Sequence, residues 1–333
     1  STSSDVFHIF ASRGCEGDCT FCDRNALYLH CEHGQRFRSI SNVVAEIDDL
    51  VIKYRCRFVT FSDSTFCCND HATERLNELY FKLKSKPYWV QFFLNLRSEQ
   101  ITEPLIESLV RLKEVGLGKV FIGIESFNEN DLKIYNKKAN LNDNINTLQL
   151  ISTLKQKSDD FRIDFEYGLI LFNPYTTVKD LQHNLDCLAS NSILLNPNII
   201  TSRLVCNFIH PITKKIDKDG LLITKISEMT LEQKNCSDLK YFFADPIIGN
   251  IYQVILSCYH TLSALLPENI VFIRNRYYKF YGIDTILTNL DGAYRSWIYQ
   301  MSEFCYKLVH AVIYHETNAI PSLEPMQVLC SDF

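Results

Sequence analysis

Cys15, Cys19 and Cys22 stand in the stretch SRGCEGDCTFCDRN at C-x3-C-x2-C spacing, three thiols within eight residues. Thiolates are soft donors that select zinc or iron–sulfur clusters. A structural zinc ion takes four protein ligands, and Cys31, nine residues after Cys22, could supply the fourth. A cubane iron–sulfur cluster also normally takes four cysteines. Three leave one iron with an open position, at which a small molecule can bind and be activated. The chain holds thirteen cysteines in 333 residues, an odd count that does not suit the disulfide scaffold of a small secreted domain. It suits a reduced, cytoplasmic protein in which most of the remaining cysteines are ordinary small buried residues.

A loop presents three thiols in one place only if the elements beside it are held. The sequence reads as strand followed by helix, repeatedly. DVFHIFAS is a first strand that runs into the cysteine loop. In SNVVAEIDDLVIKY, residues Val43, Val44, Ile47, Leu50, Val51 and Tyr54 fall at helical spacing. RFVTFSDS is a second strand, followed by a helix with Leu76, Leu79, Tyr80 and Leu83 on one side. WVQFFLNLR is a third strand, and the next helix has Pro104 in its first turn and Gly116 at its C-terminal cap. KVFIGIES is strand four, followed by a helix carrying Leu148, Ile151 and Leu154. FRIDFEYGLILF and its helix TVKDLQHNLDCLAS come next, and NIITSRLVCNF is a sixth strand.

This rhythm implies a parallel α/β sheet with right-handed crossovers. Buried parallel strands are normally apolar on both faces, yet Gln91, Asn95 and Arg97 alternate along strand three, as do Asp164 and Glu166 along strand five. Alternate residues share a face, so a polar inner face points to a barrel lumen that holds something wet or charged. An edge position in an open sheet is the alternative. The rhythm stops near residue 215. We therefore expect a partial (β/α)6 TIM-type barrel over 1–215 and a mainly helical C-terminal extension over 216–333. A net charge of −5 and a pI near 6.0 argue against a nucleic-acid surface, and no apolar run reaches membrane-spanning length.

The cysteine stretch, on a loop directly after the first strand and with Phe21 just before its last cysteine, resembles the radical S-adenosylmethionine (SAM) enzymes. The resemblance implies a [4Fe–4S] cluster held by Cys15, Cys19 and Cys22, with the amino and carboxylate groups of SAM on the fourth iron. It also implies reductive cleavage of SAM to a 5′-deoxyadenosyl radical that abstracts hydrogen from an unreactive C–H bond. In the family fold, a partial (β/α)6 barrel, such a loop lies at the C-terminal ends of the strands, where active sites sit. FVTFSDSTF resembles the end of the family's second strand, with Ser62, Asp63 and Ser64 in place of the usual Gly-Gly-Glu near the SAM amine. That replacement resembles the branch whose members often carry a cobalamin-binding domain. NLRSEQITEPLIESLVRLKEVGLGKVFIGIES is similar to the same branch and puts Glu125 near the SAM ribose hydroxyls. Arg97 is then a bidentate partner for the SAM carboxylate, and Phe21 packs near the adenine. The likeness covers roughly residues 6–215; NPYTT and HPIT stand where the branch often has a glycine-proline-glycine turn. Arg97 and Glu125 could instead pair with each other between strands, and Asp63 could serve as an Asx turn or helix cap.

Members of this branch use cobalamin for radical methylation, in a domain that normally precedes the barrel. This chain has no room for one before its first strand. A cobalamin-independent modification of a natural-product, amino-acid or peptide substrate is thus expected, with C-methylation the first choice if a preceding domain exists. Asp164, Glu166 and Arg203 could bind a polar substrate, or could pair with one another inside the barrel. Cys206, Cys67 and Cys68 could return a hydrogen atom to a substrate radical, or could simply be buried. An auxiliary cluster would draw on Cys206, Cys236, Cys258, Cys305 or Cys330. His30 and His33 could be ligands, or solvent-exposed loop residues. A flavodoxin- or ferredoxin-type electron donor is the expected protein partner, and no membrane or nucleic-acid partner is expected. A non-catalytic protein with zinc at Cys15, Cys19, Cys22 and Cys31 is the competing reading.

Overall fold

The computed structural model describes residues 6–23, 34–67, 71–157, 163–236, 238–264 and 285–318. His30, Cys31, His33, Cys68 and Cys330 lie outside them. In chain order the first elements are β1 (Val6–Ile9), β2 (Ser12–Arg13), β3 (Arg36–Phe37), α1 (Ile40–Tyr54), β4 (Phe58–Phe61) and α2 (Ala72–Lys84). Then come β5 (Gln91–Arg97), α3 (Glu103–Leu112), β6 (Leu117–Glu125), α4 (Glu129–Ile134), α5 (Leu141–Lys157), β7 (Asp164–Leu169) and α6 (Val178–Ser190). The helices α7 (Pro197–Ile200), α8 (Pro211–Lys218), α9 (Leu231–Lys234), α10 (Pro246–Ser263) and α11 (Thr285–Asn318) complete the described chain.

Five strands form one all-parallel sheet in the order β1-β4-β5-β6-β7. Sequential order with a helical connection after each strand is the arrangement of a TIM-type α/β fold. Phe92, Leu94 and Leu96 of β5 and Val120, Ile122 and Ile124 of β6 are buried in the principal core. Each such side chain contributes about 1.5–3 kcal/mol by burial. The alternate residues face the other way, and the register lines them up across the sheet. His8, Thr60, Phe93, Lys119 and Asp164 form one row. Asn95, Phe121 and Glu166 form the next, and Arg97, Gly123 and Gly168 the one nearest the strand ends. The polar alternation in β5 and β7 is therefore one continuous inner face.

The sixth strand is corrected. Asn196 accepts a hydrogen bond from the Ile199 amide at 3.0 Å and starts the helical turn α7 at Pro197. The sixth position reduces to a single parallel bridge between Phe172 and Arg203. The expected boundary at residue 215 falls within α8. Helix α3 starts and stops where expected. Thr102 caps it, and Gly116 ends the following turn at φ 118°, where a Cβ would lie 1.9 Å from the Val90 carbonyl oxygen. The C-terminal helices close the same core, with Ile248, Ile251 and Ile255 of α10 and Cys305 and Val309 of α11 buried within it. No described helix is long and apolar enough to cross a membrane.

Candidate active site

The loop after β1 is tied down residue by residue. The Ala11 amide donates to Asp63 Oδ2 at 3.0 Å, just past β4. Arg75 of α2 donates to the carbonyls of Ala11 at 2.9 Å, Arg38 at 3.0 Å and Phe66 at 3.2 Å. Its guanidinium also lies over the rings of Phe37 and Phe66. Further along, Thr20 donates through its amide to the Tyr135 carbonyl and through its hydroxyl to the Ile134 carbonyl. Asn136 donates to the Asp18 carbonyl at 3.0 Å, and Phe21 packs edge-on against Tyr135 at 5.3 Å. From the other side the Ile212 amide donates to the Thr20 carbonyl, and His210 meets Asp23 at 2.7 Å. The cysteine loop is thus held between the C-terminal end of α4 and the N-terminal end of α8.

Charge is concentrated around them. Arg97, the last residue of β5, donates from Nη1 to Cys15 Sγ at 3.3 Å and pairs with Glu99. The Gly17 amide donates to the same sulfur at 3.4 Å. A Cβ on residue 17 would sit 2.0 Å from Arg97 Nη1, so only glycine admits the guanidinium here. Glu125, the last residue of β6, holds a left-handed φ of 68° and pairs with the buried Lys137 at 2.9 Å. Burial pushes the Cys19 thiol up to about 11, while Lys137 and Arg97 pull the other way. Burial also works against the Lys137 ammonium, but Glu125 and the Cys19 sulfur hold its pKa above the usual value.

This donor set fits a soft, thiolate-bound cluster. The three thiols are free and partly accessible on one anchored loop. Arg97 Nε and Glu99 Oε2 are buried beside them without hydrogen-bond partners among the described residues. The sulfurs do not form a ready-made nest. Among the described residues no three His, Cys, Asp or Glu side chains converge as a metal site, and this includes the thiols considered for an auxiliary cluster.

The remaining expected site residues separate. Ser62 Oγ meets His8 Nδ1 at 3.1 Å, and Ser64 is partly exposed. Asp63 is fully buried, its pKa raised by burial, and it anchors Ala11; it caps no helix. Arg97 and Glu125 do not pair with each other; their partners are Glu99 and Lys137. Glu166 faces the lumen and pairs with Lys119, one row from Asp164. That row is four residues, or about 13 Å, below Glu125, so Glu166 belongs to the lumen wall and not to the cysteine end. Arg203 pairs with Asp238, a partner unforeseen in the sequence. The sequence leaves Cys206 as a hydrogen-atom donor or as a buried thiol. It is fully buried in a second core with Tyr135, Leu204 and Ile212, and burial pushes its thiol up to about 12. Cys67 is likewise fully buried, and its thiol faces the Ala72 carbonyl.

Residues 9–173 match the model of the radical SAM superfamily, and the chain belongs to that superfamily of enzymes. Its fold is that of cobalamin-dependent members. OxsB with aqua-cobalamin and SAM bound is 18% identical with a TM-score of 0.60, covering 93% of this chain and 54% of that one. The methyltransferase TsrM from Kitasatospora setae is 13% identical with a TM-score of 0.54, covering 92% and 61%. In sequence, the chain is 27% identical over 205 residues to 4′-phospho-dehydrooxetanocin synthase of Priestia megaterium, covering 56% of this chain and 26% of that protein. The chain therefore spans about half the length of OxsB and about a quarter of that curated relative.

Proposed function

We propose that this chain is the catalytic barrel of a radical SAM enzyme that modifies an unactivated C–H position of a small polar metabolite. The observation that carries the reading is the C-x3-C-x2-C loop mounted at the strand ends against Arg97, Glu125 and Lys137. Cys15, Cys19 and Cys22 would hold the [4Fe–4S] cluster. When bound, the cluster and SAM supply one-electron cleavage of the sulfonium and hence the hydrogen-abstracting radical. The chain's own residues do the positioning. Arg97 steadies the Cys15 sulfur and keeps Glu99 in place. Glu125 and Lys137 form a buried charge pair at the Cys19 side, with Glu125 toward the SAM ribose. Ser62 and Ser64 stand at the end of β4, toward the SAM amine. Below them, Phe93, Phe121, Gln91 and Asn95 line a lumen with a mixed apolar and amide wall, and Lys119 beside Glu166 adds charge.

A phosphorylated substrate is the class we favour, because the curated relative is named for a phosphorylated product. A cobalamin-dependent reaction is the second reading, favoured by the fold shared with OxsB and TsrM. The test is anaerobic reconstitution followed by SAM and dithionite. Formation of 5′-deoxyadenosine is expected from the wild type and from Cys31→Ser, and its loss from Cys15→Ala, Cys19→Ala and Cys22→Ala. If the wild type leaves SAM intact, or if Cys31→Ser destroys the fold as Cys15→Ala does, the structural zinc site takes its place. Added cobalamin changing the product would select the second reading.

A further inference from the structure

β2 and β3 form a two-residue antiparallel pair on either side of the cysteine segment, and their register sets Arg13 directly opposite Arg36. Directly opposed residues of an antiparallel pair share a face, and like charges there are destabilising. Both arginines are exposed, and neither makes an ion pair among the described residues. Among the described residues the one carboxylate lining the cleft beside them, about 430 Å³ in volume, is Glu46, and it is taken by Arg38. Arg38 is further held by the Phe10 carbonyl and Asn42, so its charge is spent within the fold. Among the described residues Arg13 and Arg36 therefore present two positive charges with no carboxylate paired to them, on a chain whose net charge is −5. Phe10 stands beside them with 40% of its surface exposed, and Arg13 lies over its ring. An exposed aromatic ring between arginines is the composition of a protein-binding surface.

The geometry points to Arg13, Arg36 and Phe10 as the docking surface for an acidic, one-electron-carrying protein that reduces the cluster. This rests on the radical SAM reading above, in which the centre must be supplied with electrons one at a time. Arg13 precedes Cys15 by two residues, a span of at most about 7 Å along the chain. A carrier seated on this face would thus bring its redox group to the cysteine loop from the edge of the sheet and leave the lumen free. Opposite charge on the two surfaces raises the encounter rate and makes it salt-dependent.

The double variant Arg13→Glu/Arg36→Glu separates the two readings. Formation of 5′-deoxyadenosine is measured with two reductants: dithionite, and a purified acidic flavodoxin kept reduced by its reductase. With flavodoxin the variant should lose about tenfold or more in rate at low ionic strength, and the wild-type rate should fall as salt is added. With dithionite the variant should stay within about twofold of wild type, with unchanged iron content, because a small reductant needs no docking surface. A variant that keeps the flavodoxin-driven rate overturns the docking surface. So does an equal loss with both reductants, which would mean that the arginines act on a bound small anion or on the site itself. A wild type that yields no 5′-deoxyadenosine with dithionite overturns the underlying radical SAM reading instead.

Discussion

The cysteine spacing is visible to anyone who reads the chain, but the residues that condition the thiols are not. Lys137 carries no motif of its own, and only the turn after α4 brings it to Cys19 and Glu125. Arg97 was legible as a strand-end arginine, but its contact with Cys15 Sγ depends on the missing side chain at Gly17. This pairing makes a sharp prediction. Gly17→Ala and Arg97→Gln should each remove the N–H···S bond and shift the cluster's midpoint potential in the negative direction. The double variant should be no worse than either single one, because both remove the same contact. Additive shifts in a spectroelectrochemical titration would refute the pairing. Asp63, expected near SAM, is a fully buried acceptor for Ala11. Asp63→Ala should cost about 1–3 kcal/mol in urea unfolding by orphaning that amide. Asp63→Asn should recover most of it, since burial already disfavours the charged form; equal losses in both variants would show that the charge itself matters.

At the scale of elements, periodicity located the helices and the five paired strands, and it identified the polar inner face correctly. It failed at residues 198–208, where a run rich in Ile, Leu and Val looked like a strand. The Asn196–Pro197 pair, an N-cap followed by a proline at the first helical position, was the overlooked signal. Arg75 was also missed. A helix-borne arginine looks like a solvated surface residue until the fold brings three carbonyls to it. One inter-element tie has a testable pH signature. Asp48 of α1 accepts from Lys86 and from the Tyr88 hydroxyl, each at 2.7 Å, in the connection between α2 and β5. Burial opposes the carboxylate, but these two bonds prevail and hold its pKa below the usual 3.8. A depressed folded-state pKa contributes stability that is present above 3.8 and is lost as pH falls through the lowered value. Asp48→Asn should therefore cost about 1 kcal/mol at pH 7, with the gap to wild type closing in acid. A gap in thermal or urea unfolding that stays constant down to pH 3 would contradict the assignment.

For the whole molecule, the barrel and the C-terminal helices share one hydrophobic core, with Tyr252 of α10 against Phe172 and Ser302 of α11 accepting from the Leu195 amide. Which surface these helices cover was not legible, because Ile248, Ile251, Cys305 and Val309 look like the apolar face of any helix until the fold is known. Chemistry is concentrated where the cysteine loop meets the ends of β5 and β6. The radical SAM reading requires that the three thiols of that loop hold a cluster with a position open to SAM. The most direct measurement is electron paramagnetic resonance of the anaerobically reconstituted, dithionite-reduced protein with and without SAM. We predict about four irons per chain, a reduced-cluster signal absent from Cys15→Ala, Cys19→Ala and Cys22→Ala, and a change in that signal when SAM is added. A protein that binds one zinc ion and no sulfide, or a cluster signal that SAM leaves unchanged, would contradict it.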